Sequence, residues 1–176
     1  SEIKIIGKPI NAVIKIYVDI FRACPYVVLV TFVYFALPFV GIQFNTFWAT
    51  VVSFSACLSA FAEEIFRAGI IAIDKGQTEA ARSIGLTHLQ TMRYIILPQG
   101  VKISIPTLTN RTVAITKAIS MASAIALPDL LKQARSIQAL VANPTPLVEA
   151  AIIYIALFYP LVKFTLYLER KMGKAV

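Results

Sequence analysis

Glu63, Glu64 and Arg67 interrupt an otherwise apolar stretch, Phe47 to Ile73, and are the residues of that stretch that could do chemistry. Glu63 and Arg67 are four apart and Glu64 and Arg67 three apart, so one face of a helix can pair them. An ionisable group at mid-bilayer costs about 2.5–3.5 kcal/mol on insertion scales, so such groups are seldom idle. Two uses follow. The trio forms an ion pair that holds or gates a helix, or Glu63 is left over after pairing and draws a cationic substrate into a pathway. Asn110, Arg111 and Lys117 form a second polar set, in a weaker apolar stretch broken by Pro106. A broken, polar helix is where transporters place ligand contacts, and a cation there suits a carboxylate. Arg111 and Lys117 are six apart and point to different faces, so at least one meets protein, water or a headgroup. Ser53, Ser55 and Ser59 read as hydroxyls bonded back to their own helix.

Little else supplies chemistry. Cys24 and Cys57 lie in or beside apolar runs, and with a single His they make no metal-ligand or disulfide spacing. They read as small buried hydrophobes. The expectation from these residues is a chain with no metal site. Of 176 residues, 58% are hydrophobic and 15% charged, with a mean hydropathy of +0.75. A soluble domain carries about a quarter charged residues. The net charge of +8 marks membrane-flanking loops and headgroup contacts rather than nucleic acid, because no basic face interleaved with aromatics is present.

The polar sets must be positioned by membrane helices. Four stretches are near or above the roughly 20 residues that cross a hydrocarbon core: Cys24–Ile42, Phe47–Ile73, Val101–Leu127 and Pro146–Leu168. Lipid offers the backbone no partner, which selects helices, and no period-2 barrel pattern competes. The fold class is therefore an all-α integral membrane protein of one domain, 1–176, with about four transmembrane helices. With the N-terminus inside, twelve Lys and Arg gather on the inner side and only Lys132 and Arg135 outside. Both termini and the polar insert 74–98 are then cytoplasmic. Residues 1–23 read as a cytoplasmic amphipathic segment: Ile10, Val13, Ile14, Tyr17, Val18 and Phe21 line one helix face, against the membrane surface or the bundle.

The insert has its own architecture. After Asp74-Lys75-Gly76-Gln77, a short helix is expected at Thr78–Ile84, with Glu79 in its first turn and Gly85 as its stop. Thr87-His88-Leu89-Gln90 reads as a capping box that opens a second helix, ended or kinked at Pro98. This helix–turn–helix displays the small residues Ala80 and Ala81, which let another surface approach closely.

Glu79-Ala80-Ala81, then Gly85, then Ile95, Leu97 and Pro98 resemble the EAA loop of ATP-binding-cassette (ABC) importer permeases at every motif position. EEIFRAGIIAI (63–73), KGQTEAARSIGL (75–86), ILPQG (96–100) and YFALPFVGI (34–42) are similar to the polar amino-acid permease subfamily. The resemblance covers roughly residues 21–172. It implies a non-catalytic cell inner membrane subunit translocating a polar amino acid. Its expected partners are a dimer of ATPase subunits that hold ATP and Mg, an identical or homologous permease, an extracytoplasmic solute-binding protein and membrane lipid. The family's ATPase-coupling role falls on Glu79, Ala80, Ala81, Gly85, Leu97 and Pro98. Three departures stand out. The family's first span is missing, which suggests a truncated chain. Ala23-Cys24 stands where the family has Gly-Thr, and Lys117-Ala118-Ile119 where it has Lys-Asp-Thr. The missing span and the altered Lys117 turn feed a competing reading, a non-transporting or regulatory relic that keeps the docking loop.

Overall fold

The computed structural model describes residues 2–172, and among these there is no strand. Helix α1, Glu2–Ala23, ends at Cys24-Pro25, where the ring of Pro25 and its missing N–H stop the helix. The chain turns by 104° into α2, Tyr26–Thr31. That helix runs on through a π-turn, Phe32–Ala36, and a 3-10 turn, Leu37–Val40. Gly41 closes it at φ 84°, a left-handed angle that an L side chain resists, and Ile42 N–H reaches back to Leu37 O at 3.2 Å. Asn45 then caps α3, Thr46–Ile71, accepting a hydrogen bond from Trp48 N–H at 2.8 Å.

α4, Lys75–Ser83, and α5, His88–Thr91, form the polar insert. A π-turn, Met92–Ile96, leads into α6, Leu97–Ala118, and a 3-10 turn, Ile119–Ile125, follows. α7, Leu130–Val141, is set at 49° to that long unit, and α8, Thr145–Met172, returns along it. α3 and α8 are each long and apolar enough to cross a membrane, and the two bent units raise the number to as many as four.

Of the two outcomes expected at Pro98, an end or a kink, the helix does not end: it runs on through an irregular turn. The π-turn inserts its extra residue just before it, and Pro98 falls in the first turn of α6, where a missing N–H is no loss. The same arrangement precedes Pro38. Pro106 likewise sits buried inside α6 without breaking it.

The core gathers Val30, Val33, Ala49, Phe54, Ile115, Ala122 and Ile125, from α2, its π-turn, α3, α6 and the 3-10 turn after it. Tyr26 stacks on Phe54 at 5.5 Å between ring centroids. The tightest packing lies where α3 crosses α6. Gly69 faces Gly100 and Ser104, and Ser104 Oγ lies 3.2 Å from Ile65 O and 2.7 Å from Gly100 O. Small residues let backbones approach, which is how membrane helices associate without a hydrophobic drive between them. α8 buries only Ala150 and Thr165, and presents Ile152, Ile155, Leu157 and Tyr159 outward.

Candidate coupling surface and interior ionic residues

The insert is built from its caps. Asp74 Oδ1 accepts a hydrogen bond from Gly76 N–H at 2.7 Å, so α4 begins at Lys75, three residues before the expected start. Glu79 therefore lies mid-helix and not in the first turn. Gly85 adopts φ 88° and ends the helix, with Gly85 N–H donating to Arg82 O at 3.1 Å and Leu86 N–H to Ala81 O at 3.2 Å. Thr87 and Gln90 form the reciprocal box: Gln90 N–H meets Thr87 Oγ1 at 3.3 Å and Thr87 N–H meets Gln90 Oε1 at 2.9 Å.

The small residues do not act alike. Ala81 is buried, and α4 packs on α5 and the following π-turn, so its missing bulk brings α4 close to its own chain. Ala81 is thus not displayed as expected. Glu79, Ala80 and Ser83 are exposed. Ile84, 78% exposed, and Leu89, 79% exposed, add two apolar side chains to an otherwise polar surface. Sequence reasoning missed both, although an isolated Ile and Leu in a polar insert were the available signal. Leu97 and Pro98 lie at the start of α6, both solvent-accessible.

The ionic trio of α3 splits: the four-residue spacing pairs Glu63 with Arg67, while Glu64 finds a partner outside its own helix. Glu64 pairs with Arg22 of α1 at 2.7 Å and not with Arg67. Glu63 is not left over but stands 3.5 Å from Arg67. A partner on the neighbouring helix reaches Glu64 at closer range than its own helix offers. Arg22 also lies 5.5 Å from the centroid of Phe61, whose ring receives the guanidinium of Arg111 at 3.2 Å. The Nε of Arg111 is buried without a hydrogen-bond partner. One aromatic ring thus gathers cations from α1 and α6, an arrangement favoured by the ring's negative face. The Arg22–Glu64 pair is about one-third exposed at both ends. A double-mutant cycle with Arg22→Gln and Glu64→Gln, followed by thermal unfolding, is expected to give a coupling of about 0.2–1 kcal/mol.

Lys117 diverges from Arg111, as its spacing implies. It is exposed, lies 5.6 Å from the centroid of Phe158 on α8, and borders a cleft of about 460 Å³ with Ser120, Tyr154 and Tyr159. Asn110, seven residues earlier, shares its helix face and is exposed, as is Thr107. Cys57 is buried with its thiol 3.6 Å from Phe21 O, and Cys24 is partly buried.

What this geometry offers is mechanical: a capped helix presenting an acid and a small residue, flanked by exposed Ile84 at its end and Leu89 on α5. Residues 5–174 match the family described as "Binding-protein-dependent transport system inner membrane component". The chain belongs to this family. It is 42% identical to the "Probable amino-acid ABC transporter permease protein YckA" of Bacillus subtilis (strain 168), over 70% of this chain and 54% of that one. It is 40% identical to the "Probable glutamine ABC transporter permease protein GlnM" of the same organism, over 96% of this chain and 78% of that one. The chain thus spans about half of YckA and about three-quarters of GlnM. Among solved structures, a "Crystal structure of an amino acid ABC transporter with histidines" superposes with a TM-score of 0.87 at 36% identity, covering 93% of this chain and 77% of that one. The all-α membrane fold expected from hydropathy is the fold of these permeases.

Proposed function

We propose that this chain is the permease subunit of an ATP-driven importer for a polar amino acid, with α4 on the cytoplasmic side. The observation that carries the reading is the split of the EAA motif: Glu79 and Ala80 face outward on a capped helix, while buried Ala81 seats that helix on the π-turn that feeds α6. A push on α4 then passes into a membrane helix without being absorbed by a floppy loop. ATP and Mg belong to the docked ATPase pair, and this chain performs no bond chemistry. A second permease, identical or homologous, and an extracytoplasmic solute-binding protein complete the assembly.

The pathway face is the polar side of α6. An exposed Lys in lipid costs about 2.5–3.5 kcal/mol near mid-bilayer, whereas the exposed residues of α8 are mostly apolar and suit lipid directly. Asn110 and Lys117 therefore line water and the partner permease, and Lys117 meets the substrate carboxylate. Glu63, Glu64, Arg67 and Arg111 hold α1, α3 and α6 together beside that pathway. Lys117→Gln is expected to raise KM for amino-acid uptake about tenfold, the loss of roughly one charge-assisted hydrogen bond. Ile152→Val, on the exposed apolar face of α8 and outside the cleft that Lys117 borders, is expected to leave KM unchanged. Radiolabelled uptake into proteoliposomes checks both, and an unaltered KM in Lys117→Gln would remove Lys117 from the pathway.

A further inference from the structure

α1 and α3 enclose a polar cleft of about 420 Å³ that neither the coupling surface nor the α6 face uses. Asn11, Lys15, Asp19 and Arg22 of α1 and Glu63 and Arg67 of α3 supply its polar lining. Arg22 is taken by Glu64 at 2.7 Å, and Glu63 holds Arg67 only at 3.5 Å, with the Arg67 side chain 58% exposed. Among the described residues neither Lys15 nor Asp19 forms an ion pair, although both border the cleft. The cleft thus offers cations in Lys15 and Arg67 and an anion in Asp19, and the basic and acidic groups balance once Glu64 is included. An anionic ligand would satisfy the cations and leave Asp19 facing it. A ligand carrying both signs satisfies all three.

The rim identifies the ligand further. On α1, Ile10, Val13, Ile14 and Tyr17 form an exposed apolar stripe next to the polar one, and Ile14 belongs to both. A small soluble zwitterion has no use for that stripe, whereas an acyl chain does. Arg67 lies four residues before the end of α3 at Ile71, roughly 6 Å of helix rise. That places the cleft at headgroup depth on the α4 side of the membrane.

We propose that this cleft binds a zwitterionic phospholipid with a primary amine headgroup, of the phosphatidylethanolamine type. Its phosphate meets Lys15 and Arg67, and its ammonium donates hydrogen bonds to Asp19. A choline headgroup has no N–H to donate, so the cleft discriminates between two lipids of equal charge. The assignment to the cytoplasmic leaflet rests on the orientation proposed above.

Native mass spectrometry of the assembled transporter, delipidated and then titrated with phosphatidylethanolamine, phosphatidylcholine or phosphatidylglycerol, tests the site. One phosphatidylethanolamine per permease subunit is expected to be retained about tenfold more tightly than the other two lipids, the value of one charge-assisted contact. Asp19→Asn is expected to erase the preference over phosphatidylcholine, and Lys15→Gln or Arg67→Gln to weaken both zwitterionic lipids together. Lys15, Asp19 and Arg67 are all exposed, and Arg67→Gln stands as a second probe of the phosphate contact if Lys15→Gln assembles poorly. Equal retention of the three lipids, or an unchanged preference in Asp19→Asn, would overturn the proposal. So would complete displacement of the lipid by soluble phosphoethanolamine at equal concentration, since the stripe would then contribute nothing. Lipid retention is read without transport, so failed uptake with intact lipid selectivity counts against the transport function alone.

Discussion

Gly69→Leu is expected to leave almost no folded permease in the membrane. A Cβ at Gly69 would overlap Ser104 Oγ and stand 2.8 Å from Gly100 O. The hydroxyl could rotate away, but the carbonyl belongs to the backbone of α6 and cannot move without parting the two helices. Overpacking costs about 1–3 kcal/mol for small insertions and more where backbone is struck. A whole Leu side chain at this crossing therefore removes most of a membrane domain's margin. The effect should be graded. Gly69→Ala lowers the melting temperature sharply, and adding Ser104→Ala recovers part of the loss by clearing the hydroxyl. Gly100→Ala is milder, because the only atom within 3.0 Å is the side-chain Cγ1 of Ile70 at 2.9 Å, while the nearest backbone atom, Ile70 Cα, stands 3.3 Å away. Thermal unfolding of purified protein in detergent measures the series. Similar melting temperatures for Gly69→Leu and Gly100→Ala would refute the proposed crossing.

Ile84→Asp is expected to have the second-largest effect, on function and not on stability. Ile84 is 78% exposed beside Glu79 and Ala80 and makes little contact with its own chain. In a docked interface, an apolar anchor of this kind is worth about 2 kcal/mol or more on truncation. A carboxylate in its place adds desolvation without a partner. Amino-acid-stimulated ATP hydrolysis should fall at least tenfold while the melting temperature stays at the wild-type value. Ala81→Leu should do the reverse in its primary effect: the side chain is buried, so its added bulk lifts α4 off α5 and lowers stability first. Thermal shift and ATPase assays on the same preparations separate the two mechanisms. If both variants lost stability equally, the division of the motif into outward and inward residues would fail.

The contrast between these two sites marks what the sequence made legible. Local rules reached far. Hydropathy located α3 and α8 closely, since a lipid-facing helix must be apolar along its length. The Thr87–Gln90 box and the Gly85 stop were readable because caps are made by residues three or four apart. What escaped depended on contacts between distant segments. Glu64 chose Arg22 over Arg67, and no periodicity within α3 could reveal a partner on α1. Ala80 and Ala81 are identical neighbours, and only the packing of α4 on α5 decides which is displayed. Pro98 reads as a helix stop or kink, and the π-turn before it places the proline in a first turn, where its missing N–H is tolerated. α7 fell outside the span read at Val101–Leu127 because its apolar residues are too sparse for a crossing window, although Asp129 caps it plainly.

The most direct measurement is ATP hydrolysis and labelled amino-acid accumulation in proteoliposomes holding the permease, its ATPase and its solute-binding protein, wild type against Glu79→Lys. Glu79 is exposed on α4, so reversing its charge spares the core while repelling a basic partner at the proposed docking surface. The expected result is amino-acid-dependent hydrolysis and accumulation in the wild type, with both reduced to background in the variant. Wild-type hydrolysis indifferent to every amino acid, or accumulation unchanged by Glu79→Lys, would contradict transport driven through α4.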